Sequence, residues 1–186
     1  MRRGTCELPE PVLPLDASLV ASARRGDRAA FGTLYGRHAR LVQAVLLARV
    51  PPDHVADLVQ DVFLIAMDRL GALRDDSAFA PWLATIARRR AADWRRKRHD
   101  TVPLEEAMSE SIGSDPDEAR TARAAIEAIR SLPEAYRETL MLRFVAGLNG
   151  PEIAQRTGLT HGSVRVNLHR GVEMLRQRLR EDESHA

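Results

Sequence analysis

Asn149 to Arg170 runs NGPEIAQRTGLTHGSVRVNLHR, and its punctuation predicts two helices. Asn149 is placed to cap the first, with Pro151 in the opening turn, Glu152 at the third helical position, and Ile153 and Ala154 pointing inward. Thr157-Gly158-Leu159 interrupts the pattern. Thr160 then caps a second helix, in which Val164, Leu168, Val172, Leu175 and Leu179 recur at helical spacing. Two helices joined by a short glycine turn make a helix-turn-helix. Projected at about 3.6 residues per turn, the second helix sets Ser163, Val166 and Arg170 opposite the buried stripe, with Arg165, Asn167 and His169 on its flanks. Those side chains can reach a major groove. The same geometry also occurs as plain core packing, and it is the capped helices, the glycine turn and the exposed arginine face together that favour DNA binding.

Outward from this motif, a helix through Ile126 and Ile129 begins near Ala119. Ser131, ahead of Pro133 and Glu134, is placed to form a capping box for a helix whose stripe includes Tyr136, Leu140, Leu142 and Phe144, with Gly147 as its stop. Before this domain lies DTVPLEEAMSESIGSDPDE, Asp100 to Glu118, with seven acidic residues and no Lys or Arg. Such a strip buries too little apolar surface to fold alone, so it is expected to be a flexible linker. Its acidity serves either solubility or mimicry of a nucleic-acid strand in a basic channel.

RDDSAFAPWLATIARRRAADWRRKR, Arg74 to Arg98, sets two tryptophans and a phenylalanine among eight basic residues and three acids. Ser77 is placed to cap a helix whose Phe79, Trp82, Leu83 and Ile86 face inward while arginines ring the other side. Arginines neutralise phosphates and aromatic faces stack on unpaired bases, a pairing that suits nucleic acid that is partly single-stranded. A solvated surface helix with core aromatics has the same composition.

Ahead of it, Asp16 or Ser18 is expected to cap a short helix ending at Gly26. Asp27 caps a longer one carrying Phe31, Leu34, Tyr35, His38, Leu41, Val42, Val45 and Leu46 until Pro51 and Pro52 end it. His38 on that apolar face reads as a hydrogen-bonded core histidine. After Asp53 a third helix buries Val55, Leu58, Val59, Val62, Phe63, Ala66 and Leu70, and shows Asp57, Gln60, Asp61 and Asp68 on its other face. That acidic face is either solvated surface or a dock for a basic partner. Residues 1–15, broken by prolines, are expected to be a disordered tail.

The formal net charge is only +2. Divided along the chain, it becomes two basic bodies flanking an acidic strip: 17 Lys and Arg against 11 Asp and Glu in residues 1–99, and 11 against 8 in residues 119–186. Cys6 is the single cysteine, which excludes an internal disulfide, and no histidine falls into ligand spacing with it. No metal site, cofactor loop or nucleophile pattern is present, so neither a cofactor nor catalysis is expected. No run approaches the ~20 apolar residues of a membrane span, so a cytoplasmic protein without membrane insertion is expected. The fold class is all-α: two small helical domains, residues 16–99 and 119–182, joined by a flexible acidic linker, with the helix-turn-helix in the second.

Three stretches in this order, DHVADLVQDVFLIAMDRL, the Arg74–Arg98 segment, and LPEAYRETLMLRFVAGLNGPEIAQRTGLTHGSVRVNLHRGVEMLRQRL, resemble the extracytoplasmic-function (ECF) sigma factors of bacterial RNA polymerase. The resemblance spans Leu19 to Leu179. It implies a protein that binds core RNA polymerase and directs promoter-specific initiation. Asp57, Gln60 and Asp61 would dock on the clamp helices of the beta-prime subunit, and the beta subunit and an anti-sigma factor are further implied partners. Arg74, Asp75, Asp76 and Ser77, with Phe79 and Trp82 at the start of the next helix, would capture a flipped base of the -10 element. Arg88, Arg89, Arg95, Arg96 and Arg98 would hold the melted strand. Ser163, Arg165, Val166, Asn167, His169 and Arg170 would contact the -35 element of promoter DNA, and the linker would enter the polymerase channel. The chain departs from the family pattern at Arg89, commonly Asn, at Asp75, often Gly, and at Val166-Asn167, commonly Ser-Arg, positions whose side chains bear on base preference. The alternative is a stand-alone helix-turn-helix regulator of duplex DNA, which would need a dimer interface but no aromatic loop in its first domain.

Overall fold

Every regular element among residues 15–99 and 116–183, the part of the chain that the computed structural model describes, is a helix. The expected tail and most of the expected linker lie outside the described residues. The elements are α1 (Asp16–Arg24), α2 (Arg28–Leu47), α3 (Val55–Asp68), α4 (Phe79–His99), α5 (Pro116–Arg130), α6 (Glu134–Phe144), α7 (Gly150–Thr157) and α8 (His161–Glu183). Single 3-10 turns at Pro52–His54, Leu70–Ala72 and Asp76–Ala78 bend the chain around α3.

α1 to α4 close on one apolar core. Leu34, Leu41, Val42, Val45 and Leu46 of α2 meet Val62 and Phe63 of α3 and Leu83 of α4, all buried. The buried line of α4 is Phe79, Ala80, Leu83, Ala84, Ala87 and Ala91, while Trp82 and Ile86 are only half-buried. The expected stripe is thus rotated, because the small alanines let α4 lie close to α2 and α3 and push the bulkier side chains to the edge. His38 is buried as expected. Its Nε2 lies 2.8 Å from Asp16 Oδ2, and its ring meets Phe79 edge-on at 5.3 Å. Burial lowers the pKa of His38 against the opposing pull of Asp16.

Several caps are local and several are not where the sequence suggested. The Asp27 carboxylate accepts from the Ala29 and Ala30 amides. Asn149 and Glu152 form a reciprocal capping box at 2.9 and 2.7 Å, and Thr160 Oγ1 accepts from the Ser163 amide. At α1 the cap position falls to Leu15, and the Ser18 hydroxyl donates back to the Leu15 carbonyl. Ser77 does not cap α4: Asp75 accepts from the Ser77 amide and holds the preceding turn instead. Ser131 does not form the expected box either. Its hydroxyl bonds the Ala128 carbonyl, so it closes α5, and Pro133 with its preset φ opens α6. α5 begins at Pro116, three residues ahead of the expected boundary, since proline is accommodated in a first helical turn.

The helix-turn-helix turns on Gly158, at φ 77° in the left-handed region. α6 and α8 cross where Gly171 meets α6. A Cβ there would lie 3.0 Å from Leu140 Cδ1 and 3.3 Å from Tyr136 Cβ. Gly171→Val should therefore overpack the second domain and cost about 1–3 kcal/mol. Chemical denaturation of the variant checks this, and a midpoint equal to that of the parent would show that the crossing is loose.

The second domain packs back on the first, α6 against α2 and α7 against α4. Glu138 of α6 is the pivot. Arg49, two residues past the end of α2, reaches its Oε2 at 2.6 Å, and Arg88 of α4 donates to its Oε1 at 2.7 and 3.0 Å. Arg123 of α5 adds a pair with Asp53 at 2.8 Å.

Candidate nucleic-acid interface

Between α3 and α4 the chain forms a loop, residues 70–77, whose tip is exposed at Arg74, Asp75 and Ser77. The Ser77 hydroxyl at 2.6 Å and the Ser77 amide at 2.9 Å both donate to Asp75 Oδ1. These bonds hold the Asp75 carboxyl below its ordinary pKa, so the tip presents a fixed carboxylate. Asp76 is turned inward to Arg24 at 2.6 Å. Beside the loop, half-buried Trp82 keeps part of its ring in solvent. Phe79 does not: it is fully buried behind Trp82, with ring centres 6.0 Å apart. Its expected place on a base-stacking surface is corrected, because a ring with no accessible face cannot stack on a base.

Along α4 the cations divide into two classes. Arg89, Arg95 and Arg96 are exposed, with Arg96 paired to Asp93 on its own helix. Arg88 is engaged by Glu138, and a phosphate could reach it only if Glu138 gave way. Arg98 donates to His54 Nε2 at 2.8 Å and lies over Trp94 at 5.2 Å from the ring centre. The second tryptophan of the segment therefore braces the end of α4 against the turn before α3.

On α3, Asp57 and Gln60 are exposed, and Asp61 receives Arg90 at 2.5 Å. Leu64 and Met67 share that side of the helix and are 59% and 52% exposed. Neither Leu64 nor Met67 was among the residues expected on that face. Their signal was available, since both fall off the buried stripe at the three- and four-residue spacing that continues from Gln60 and Asp61. Carboxylates repel phosphate and exposed aliphatic side chains offer apolar area, so this face suits a protein partner better than nucleic acid.

On α8, Ser163, Arg165, Val166, His169 and Arg170 are all exposed. Asn167 is not free to join them: its amide donates to the Ala135 carbonyl at 3.1 Å, tying α8 to α6. Among the described residues no group of His, Cys, Asp and Glu could hold a metal ion, and no helix is long and apolar enough to cross a membrane.

The family model for sigma-70 region 2 matches residues 34–101, and that for sigma-70 region 4 matches residues 122–175. The RNA polymerase sigma factor CarQ of Myxococcus xanthus is 34% identical over 163 residues, which cover 85% of this chain and 94% of CarQ. The chain is an RNA polymerase sigma factor of the extracytoplasmic-function group. The ECF sigma-E factor of Escherichia coli is 31% identical over 86% of this chain and 92% of its own. Among solved structures, CnrH in complex with the cytosolic domain of CnrY superposes with a TM-score of 0.66 at 28% identity, covering 90% of this sigma factor and 98% of CnrH. The sigma factor RpoE of Bartonella quintana, in complex with the anti-sigma factor NepR, shares the fold at a TM-score of 0.58. As a member of this family the protein directs promoter-specific initiation by RNA polymerase, and both family-matched segments fall on the helical bodies described above.

Proposed function

We propose a division of labour between the two domains. The first, residues 16–99, docks on core polymerase through the α3 face of Asp57, Gln60, Asp61, Leu64 and Met67, and holds melted promoter bases at the loop tip, Trp82 and the exposed Arg89, Arg95 and Arg96 of α4. The second, residues 119–182, reads the upstream element in duplex form through α8. One observation carries this reading: a single chain exposes a capped helix-turn-helix reader face and, separately, a fixed loop beside a tryptophan and a row of arginines. Duplex and unpaired DNA call for different surfaces, a groove-sized helix for one and a stacking platform with cations for the other. The unstacking cost of a few kcal/mol is offset by stacking and pocket contacts. The chain supplies no catalytic group to this scheme, acts in the cytoplasm where transcription takes place, and is controlled by an anti-sigma factor, as CnrH and RpoE are captured with theirs.

Mobility-shift titrations at fixed salt, with and without core polymerase, followed by runoff transcription, test the scheme. The free protein should bind promoter duplex weakly and the holoenzyme tightly. Tight, sequence-specific duplex binding by the free chain would instead identify a stand-alone regulator. Within the holoenzyme, Arg170→Ala should weaken recognition of the upstream element by about 1–3 kcal/mol if the guanidinium contacts a base edge. A loss that is equal for all sequences, with a shallower salt dependence, would place Arg170 on a phosphate.

A further inference from the structure

The region 2 match begins at residue 34, so α1 lies ahead of it. Its C-terminal residue, Arg24, nevertheless reaches across to the loop between α3 and α4. Arg24 Nε donates to the Leu70 carbonyl at 3.1 Å, Nη2 donates to the Leu73 carbonyl, and Nη1 pairs with Asp76 Oδ1 at 2.6 Å. One guanidinium thus holds both ends of the segment whose tip is Arg74 and Asp75. The segment's own backbone bonds are few: Ala72 and Leu73 amides to Arg69 and Leu70 carbonyls, and the Ala78 amide to the Asp75 carbonyl. None of these spans from Leu73 to Asp76. That span is fixed by Arg24.

The anchor behind Arg24 is firm. Leu19 and Val20 of α1 are buried, and Asp16 at its other end accepts from Arg37 at 3.1 Å and meets His38 at 2.8 Å. α1 is therefore a strut clamped to α2 at one end and gripping the loop at the other. Only arginine fits the grip, because two carbonyls and a carboxylate are met by donors in one rigid plane, whereas a lysine ammonium is a single point on a flexible stem.

We propose that Arg24 is the positioning residue of the base-capturing loop: by fixing Leu70, Leu73 and Asp76 it sets where Asp75 and Ser77 stand, and so governs which base the loop accepts. This rests on the reading of that loop given under the proposed function. Arg24 touches no DNA itself, and its effect is confined to one promoter position.

The test uses full-length protein in the holoenzyme, and a promoter library randomised across the downstream element and selected by runoff transcription. Asp75→Ala and Ser77→Ala identify the position that the loop selects, as the one where base preference changes. Arg24→Lys keeps the charge opposite Asp76, and so the fold, but loses the fork to the carbonyls. It should flatten preference at that same position by about tenfold, within the range of a well-made base contact. Arg24→Met should do the same. Affinity for core polymerase and preference at the upstream element should stay at parental values, which a general loss of folding would not allow. If the loop variants shift preference and both Arg24 variants leave it intact, the positioning role is overturned while the loop reading stands. If the loop variants shift nothing, the loop reading fails, and this inference falls with it.

Discussion

Glu138→Leu should open the protein, separating its two helical domains without unfolding either. In the closed form one carboxylate, 13% exposed, serves both Arg49 and Arg88. Its removal leaves two like charges facing each other in a half-buried interface. Breaking a buried pair by removing one partner costs about 3–5 kcal/mol. Here the cost can be relieved by rehydration on opening, so it appears as a shift of roughly 100-fold or more toward the open form rather than as lost helix. Small-angle scattering should record a larger radius of gyration while circular dichroism stays unchanged, and affinity for single-stranded DNA should rise because Arg88 is released. An unaltered radius would show that the remaining contacts, the Arg123–Asp53 pair and the apolar packing, hold the domains together without Glu138. The parent protein should respond to acid in the same way. Burial pushes the Glu138 carboxyl up, but the hydrogen bond from Arg88 and the charges of Arg49 and Arg88 outweigh it and leave the pKa lowered. A lowered folded-state pKa means that the clasp contributes fully above the carboxyl's ordinary value of 4.5 and is lost as pH falls through the folded-state value. Opening should therefore begin below that ordinary value.

What was legible in the sequence is what local geometry determines. The Asn149–Glu152 box, the Thr160 cap and the Gly158 turn each depend on residues two to four apart, and the exposed side chains of α8 follow from the same period. Asn167 shows where that stops: its position on the helix is as projected, but the Ala135 carbonyl that claims its amide lies 32 residues away. Arg88 and Glu138, 50 residues apart, and Arg24 and Leu73, 49 apart, leave no trace in any periodic pattern. Ser77 and Ser131 failed as caps for a local reason. Each had a competing partner within three residues, the Asp75 carboxylate in one case and the Ala128 carbonyl in the other, and composition does not rank such rivals. The α3 face was seen as acidic but not as aliphatic, because Leu64 and Met67 were absorbed into a helix expected to bury its apolar residues.

The fully buried Phe79 and part-buried Trp82 stand three residues apart and should weigh differently on stability and strand binding. Phe79 is enclosed by His38 on one side and Trp82 on the other, so Phe79→Ala removes a large buried ring and leaves a cavity. Such a change costs about 3–5 kcal/mol. In a domain of this size each kcal/mol moves the melting temperature by about 4–8 °C, so the first domain should melt roughly 15 °C lower or more. Phe79→Leu fills most of the volume and should cost under about 1.5 kcal/mol. Holoenzyme carrying Phe79→Leu should still hold a melted promoter strand at parental affinity, because the ring contributes to the floor beneath the loop and not to a surface that DNA reaches. Trp82→Ala should weigh the two axes differently. Its ring is only partly buried but covers Phe79, so melting should fall by less than in Phe79→Ala, while strand affinity falls by the ~1–3 kcal/mol that one stacked base supplies. Thermal melts of the four proteins, paired with fluorescence titrations of the holoenzymes against single-stranded promoter DNA, provide both axes. Loss of strand affinity in Phe79→Leu with its melting temperature intact would mean that the ring swings outward to meet DNA, and the assignment of Phe79 to the core would have to be abandoned for the bound state.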